Sequence, residues 1–172
     1  QRVPEALIAN QKALKIDPTD PEVHLCLGNN LGHLEKLKEA ELSYKKAIEI
    51  KPDYLQAYYN LATILTKMQR FEEAALNFKR VIALKPDFAQ GYNSLSLTLI
   101  DLGKYDDALV NLKKAIEIKP DYFQALFNLA VANRGLGKKK EALENLKLAI
   151  ALNPKYVRAY NDLGVTLVEL GR

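Results

Sequence analysis

The chain has 172 residues, of which 48% are hydrophobic, 27% charged and 8% aromatic, with 25 basic residues against 21 acidic ones and a net charge of +4. That balance excludes a disordered or strongly nucleic-acid-like chain, and 8 Gly, 7 Pro and 1 Cys exclude collagen-like and disulfide-scaffold classes. No apolar run approaches the roughly 18 residues that a membrane helix needs, so no membrane partner is expected. The segment from Gln1 to Gln11 contains Glu5 and no apolar run of the signal-peptide kind. The chain opens on Gln1 rather than Met, which points to a piece of a longer protein. Cys26 has no intramolecular disulfide partner, which favours a reducing compartment and predicts a cytoplasmic location.

In chain order, the first predicted element is a helix over about Val3 to Ile16. A punctuated pattern then repeats. Prolines stand at Pro18, Pro52, Pro86, Pro120 and Pro154, each 34 residues after the last. Alanines keep the same period at Ala6, Ala40, Ala74, Ala108 and Ala142. Lys45 to Tyr54 and Lys113 to Tyr122 are identical decapeptides, two periods apart. A fixed period of this length is the mark of a repeat architecture.

Each period holds two amphipathic helices, called A and B. Between Tyr54 and Met68 the apolar residues Tyr58, Leu61, Leu65 and Met68 keep the spacing of one helix face. Between Phe71 and Leu84 the inward set is Ala74, Phe78, Val81 and Ile82. Gly103, Gly137 and Gly171 fall where helix A ends and suit a left-handed cap, a point occupied by Glu35 and Gln69 in the earlier units. Proline ends helix B and forces an extended residue before it. Asp53, Asp87 and Asp121 follow the prolines and are expected to cap the next A helix, as is Asp20 with Pro21 at the first helical position. The boundaries are a lone B helix in 1–20, full units at 21–54, 55–88, 89–122 and 123–156, and a lone A helix in 157–172, all in a single array spanning 1–172.

Numbered from Pro21, position 7 of the unit is Leu27, Leu61, Leu95, Leu129 and Leu163. Position 8 is small: Gly28, Ala62, Ser96, Ala130 and Gly164. Position 24 carries Tyr44, Phe78, Leu112 and Leu146, with Asn10 as a weaker instance. Position 27 is Ala except at Val81, and position 11 is Leu except at Asn133. Together with the alanine at position 20 and the proline at position 32, this pattern resembles the tetratricopeptide repeat (TPR) family. The resemblance implies an all-α, right-handed superhelical solenoid of antiparallel helix pairs, with A helices on the concave face.

The residues offer no catalytic constellation, so a non-enzymatic chain is expected. His24 and His33 share one helix, Cys26 and His33 lack a third ligand, and the GNNLG run at Gly28 to Gly32 has no strand before it; no metal or cofactor is expected. Basic residues at positions 16, 25 and 26 are interrupted by acids at 18 and 19, the pattern of a solvated outer face, so no nucleic-acid partner is expected.

In similar TPR proteins, ligands contact helix A positions 2, 5, 6, 9, 12 and 13. Here the resemblance marks Gln56, Tyr59, Asn60, Thr63, Gln90, Asn93, Ser94 and Leu97, then Gln124, Phe127, Asn128, Val131, Arg158 and Asn161, as a peptide-binding groove. Its amides can pair with both groups of a peptide backbone, and Tyr59 and Phe127 are candidate anchors. The carboxylate clamp of chaperone-tail-binding relatives is disfavoured: its best register places Leu25, Asn29, Asn60, Gln90 and Ser94, with all three cations missing. The asparagines partly resemble the ladder in O-linked N-acetylglucosamine transferase. The expected function is a protein–protein interaction scaffold with a protein or peptide partner. The alternatives are a substrate-recruiting arm of a larger glycosyltransferase or methyltransferase, and end-to-end self-association through the terminal helices.

Overall fold

The computed structural model describes residues 2–171, and every regular element among them is an α-helix. In chain order they are α1 (Arg2–Ile16), α2 (Pro21–His33), α3 (Leu37–Ile50), α4 (Leu55–Lys67), α5 (Phe71–Leu84), α6 (Ala89–Asp101), α7 (Tyr105–Ile118), α8 (Phe123–Gly135), α9 (Lys139–Leu152) and α10 (Val157–Glu169). They fall into two compact units, Gln1–Pro86 and Asp87–Arg172. In the first unit each helix packs on the next from α1 to α5, and α2 also meets α4. In the second the same holds from α6 to α10, and α6 also meets α8. The even-numbered helices are the A helices of the repeat and the odd-numbered ones the B helices.

The turn between A and B has one construction throughout. Glu35 (φ 57°), Gln69 (φ 59°), Gly103 (φ 70°) and Gly137 (φ 74°) are left-handed. The next amide donates back into the helix, as from Lys36 to the Leu31 carbonyl at 3.0 Å and from Lys138 to Asn133 at 2.9 Å. This satisfies carbonyls that the helix end would otherwise strand. Glycine adopts the conformation freely, whereas a Cβ at Glu35 and Gln69 costs about 1 kcal/mol.

The turn from B to A is set by proline. Lys51, Lys85, Lys119 and Asn153, each preceding a proline, are extended, with φ of −127°, −141°, −134° and −137°. The expected caps from Asp53, Asp87 and Asp121 do not form. The capping positions are taken by Tyr54, Phe88 and Tyr122, none with a side-chain bond to the helix. The reason is local. The Tyr54 amide donates to the Lys51 carbonyl (3.1 Å) and Tyr122 to Lys119 (3.2 Å), closing a turn over Pro-Asp. That places the aspartate one residue too early and leaves it exposed. Asp20 does cap, accepting from the Glu22 amide at 2.8 Å with Pro21 at the start of the helix.

The core lies between A and B helices. Ala40, Ala74, Ala108 and Ala142 are fully buried, as are Ala47, Val81, Ala115 and Ala149. These small faces let the helices close until Leu61, Leu65, Phe78, Leu95, Leu112 and Leu146 fill the gaps. Gly28 marks a close approach: a Cβ there would stand 2.5 Å from the Tyr44 ring.

Candidate functional site

The groove residues lie on A helices, but they are not equally available. Gln56, Gln90, Gln124 and Arg158, all at position 2, are exposed, as are Thr63 and Asn161. Leu97 is 42% exposed although aliphatic. Val131, Tyr59, Asn60 and Ser94 are half-buried. Asn93 and Asn128 are buried, and Phe127 is only 2% exposed. The Phe127 ring meets Tyr156 edge-on at 5.2 Å and is covered by the Arg158 guanidinium at 5.2 Å. It is part of the core wall, and Arg158 is the group that faces solvent. Tyr59 rests edge-on against Phe78, ring centroids 5.5 Å apart.

Position 6 turns out to be a stitch between successive A helices. The Asn60 amide donates to the Asn29 side-chain oxygen at 2.7 Å. In the second unit the Asn128 amide donates to Asn93 at 2.8 Å. Between α8 and α10 the pair is ionic, Arg134 to Asp162 at 2.8 Å. Gln56 in turn donates to the Asn60 oxygen at 2.9 Å. The asparagines therefore spend part of their hydrogen-bonding capacity on the fold, leaving the position 2 glutamines and the position 9 side chains as the outer layer.

Asn29, which the sequence offered as a position of the disfavoured carboxylate clamp, is a junction. Its oxygen also accepts from the Tyr44 hydroxyl at 2.9 Å. Burial, set against a hydrogen bond with Asn60, pushes the Tyr44 hydroxyl up to about 12, so it remains a donor at neutral pH. Beside this junction lies a cleft of about 240 Å³ bordered by Gly32, His33, Thr63 and Lys67. Lys67 is bridged to Glu35 at 3.3 Å.

A feature missed from the sequence is Glu41, only 7% exposed. It accepts from Lys45 and from Arg70, both at 2.6 Å, and Arg70 also bonds Glu73 at 2.6 Å. Burial raises the Glu41 carboxyl, but the hydrogen bonds from Lys45 and Arg70 outweigh it and hold the group below its ordinary value. The signal was present in the column: position 21 is Glu41 once and otherwise Ala75, Leu109 and Leu143.

Position 9 divides the two units. It is Asn29 and Thr63 in the first, and Leu97, Val131 and Val165 in the second. Leu97 and Val165 are 42% and 49% exposed, so α6, α8 and α10 each place an aliphatic side chain on the same register of the A-helix face. Among the described residues, no three His, Cys, Asp or Glu side chains gather into a metal-holding group, and no helix is long and apolar enough to cross a membrane.

These features define a repeat of antiparallel helix pairs whose A helices carry the variable surface. Family models for TPR and tetratricopeptide repeats match residues 33–69, 97–137 and 132–171, and residues 55–88. The chain belongs to the tetratricopeptide repeat family, whose members serve as protein-interaction scaffolds. Among solved structures it is similar to MamA, with 29% identity, 88% of this chain and 89% of that one covered, and a TM-score of 0.82. It is similar to a thermophilic TPR protein of Thermus thermophilus, with 25% identity over 97% and 91% of the two chains and a TM-score of 0.75. YrrB, a TPR protein with an unusual peptide-binding site, shares the fold at 23% identity over 95% and 84%, with a TM-score of 0.78. Among curated proteins, no relative matches the chain.

Proposed function

We propose that the chain is a binding scaffold that holds an extended segment of a partner protein along its A helices. The observation that carries this reading is the aliphatic row at position 9 of the second unit. Leu97 and Val165 lie open to water where the equivalent residues of the first unit are polar. An isolated exposed aliphatic needs no explanation, but a row kept in register on successive helices is a docking surface. Arg158 and Asn161 border it with donors and acceptors suited to a peptide backbone. In the first unit, Gln56, Tyr59 and Thr63 give the corresponding face a polar chemistry.

The test uses a twelve-residue peptide selected from a displayed random library on the whole chain. Leu97→Glu combined with Val165→Glu is expected to weaken that peptide at least tenfold while the helical circular dichroism is unchanged. Undiminished affinity in the folded double variant would remove the row from the binding surface.

A further inference from the structure

A cleft of the second unit lies away from that row. It is a half-open cleft of about 840 Å³ at the start of α6 and α8, more polar than apolar in its exposed lining, with Phe88, Ala89, Tyr122, Phe123 and Leu152 as its apolar members. Gln90 and Gln124 stand on its two sides, with Lys119 and Asp121 beside them. Gln90 and Gln124 each precede their position 9 residues by two helical turns, about 10 Å along the axis.

The first unit differs at the matching positions. The residues 68 positions earlier are Asp20 for Phe88, Glu22 for Gln90 and Tyr54 for Tyr122. There Asp20 caps α2, and Tyr54 is drawn inward until only 8% of it is exposed. Burial, then the Glu22 carboxylate, then Cys26 and Asp20 hold the Tyr54 hydroxyl above its ordinary value. In the second unit Phe88 replaces the capping acid and Gln90 the carboxylate, and Tyr122 is only half-buried. The Lys119 ammonium lies 5.4 Å over the Tyr122 ring. Phe123 is fixed edge-on against Tyr156 at 5.1 Å, which makes that wall firm.

We propose that this cleft is a pocket for an aromatic side chain, Phe or Tyr, of an uncharged peptide segment. As to peptide chemistry it rests on the scaffold reading, but it is a separate site from the position 9 row. The volume lies within the range of about 300–1,000 Å³ typical of ligand sites and exceeds one ring, so it admits the ring and the backbone on either side. Aromatic walls favour an incoming ring in edge-to-face contact. The exposed Gln124 amide offers both donor and acceptor to the flanking backbone. Lys119 and Asp121 offset each other, so the mouth selects for no net charge.

The experiment titrates N-acetyl-phenylalanine amide into the ¹⁵N-labelled chain and follows backbone amide shifts. Saturable shifts at Gln90, Phe123 and Gln124 are expected, with N-acetyl-alanine amide at least tenfold weaker. Gln124→Trp, a substitution at an exposed position that fills the mouth, is expected to abolish them. Gln56→Trp, at the matching point of the first unit beside the buried Tyr54, is expected to leave them unchanged. Circular dichroism confirms that both variants are folded, and Gln90→Trp serves in place of Gln124→Trp if that one is not. No saturable shift in the wild-type chain, equal binding of the alanine amide, or shifts that persist in the filled variant would overturn the pocket. None of those results touches the position 9 row, whose double variant is measured with the selected peptide. Loss of that reading would equally leave the small-probe result intact.

Discussion

Helices α2–α5 and α6–α9 are the same four-helix device built twice, 68 residues apart, and they are held together differently. In the first, Asn29 joins Tyr44 and Asn60, and Glu41 joins Lys45 and Arg70. The matching residues in the second are Leu97, Leu112 and Asn128, then Leu109, Lys113 and Lys138. The Asn29 and Glu41 junctions have given way to aliphatic side chains at the same positions, while Asn128 keeps an amide bond, to Asn93. The turn residues Glu35 and Gln69 have given way to Gly103 and Gly137. The lesson is that the repeat fixes where a residue packs, while its chemistry is free to change as long as the volume is filled and buried polar groups keep their partners.

Substitutions at matched positions sharpen this contrast. The largest difference is expected at Asn29 and Leu97. Asn29→Ala removes the acceptor shared by the Tyr44 hydroxyl and the Asn60 amide and should cost about 3 kcal/mol in urea denaturation, the upper end for lost partners. Leu97→Ala, at a largely exposed site, should cost less than about 1 kcal/mol. Equal costs would break the comparison. Next come Gly28 and Ser96. Gly28→Ala drives a methyl group into the Tyr44 ring, 2.5 Å away, and should cost about 2 kcal/mol by overpacking. Ser96→Ala loses only a bond to the Tyr92 carbonyl at 2.8 Å and should cost about 1 kcal/mol.

The turns are expected to respond with opposite signs. Gln69→Gly relieves a left-handed residue and should raise stability by about 0.5–1 kcal/mol, whereas Gly137→Gln should lower it by about 1 kcal/mol. The melting temperatures of the two variants should move in opposite directions. The smallest effect is a slope. The Glu41 carboxyl is lowered in the folded state from an ordinary value of 4.5. Its contribution is therefore complete above that value and is lost as pH falls through the lowered folded one. Glu41→Gln should flatten the acid limb of stability against pH below about 4.5, while Leu109→Ala should shift the curve without changing that limb.

Most of the fold was legible because one period ran through every column. Proline, alanine and leucine at fixed positions defined the helix pairs and their turns. The aspartates after proline misled because residue type does not reveal turn closure. The amide of the following aromatic residue closes the turn, and that residue's carbonyl accepts the first bonds of the helix, as Tyr54 does from Ala57 and Tyr58. The groove was legible as a set of positions but not in its accessibility. Asn60 and Asn128 have the right chemistry for a ligand, yet each bonds to the preceding A helix, a partner 31 and 35 residues away. Phe127 reads as an anchor until Tyr156 and Arg158, from further along the chain, cover it. Glu41 was readable as an odd member of an apolar column, but its partner Arg70 comes from the next unit.

The central claim is that the A-helix face, with Leu97, Val131 and Val165 at its centre, is the binding surface. It is tested most directly by mapping the library-selected peptide on the ¹⁵N-labelled chain. Shifts concentrated on Leu97, Val131, Val165 and Asn161, and lost in the Leu97→Glu/Val165→Glu variant, are the predicted result. Shifts confined to the outer residues of α3, α5, α7 and α9, and unaffected by that variant, would contradict it.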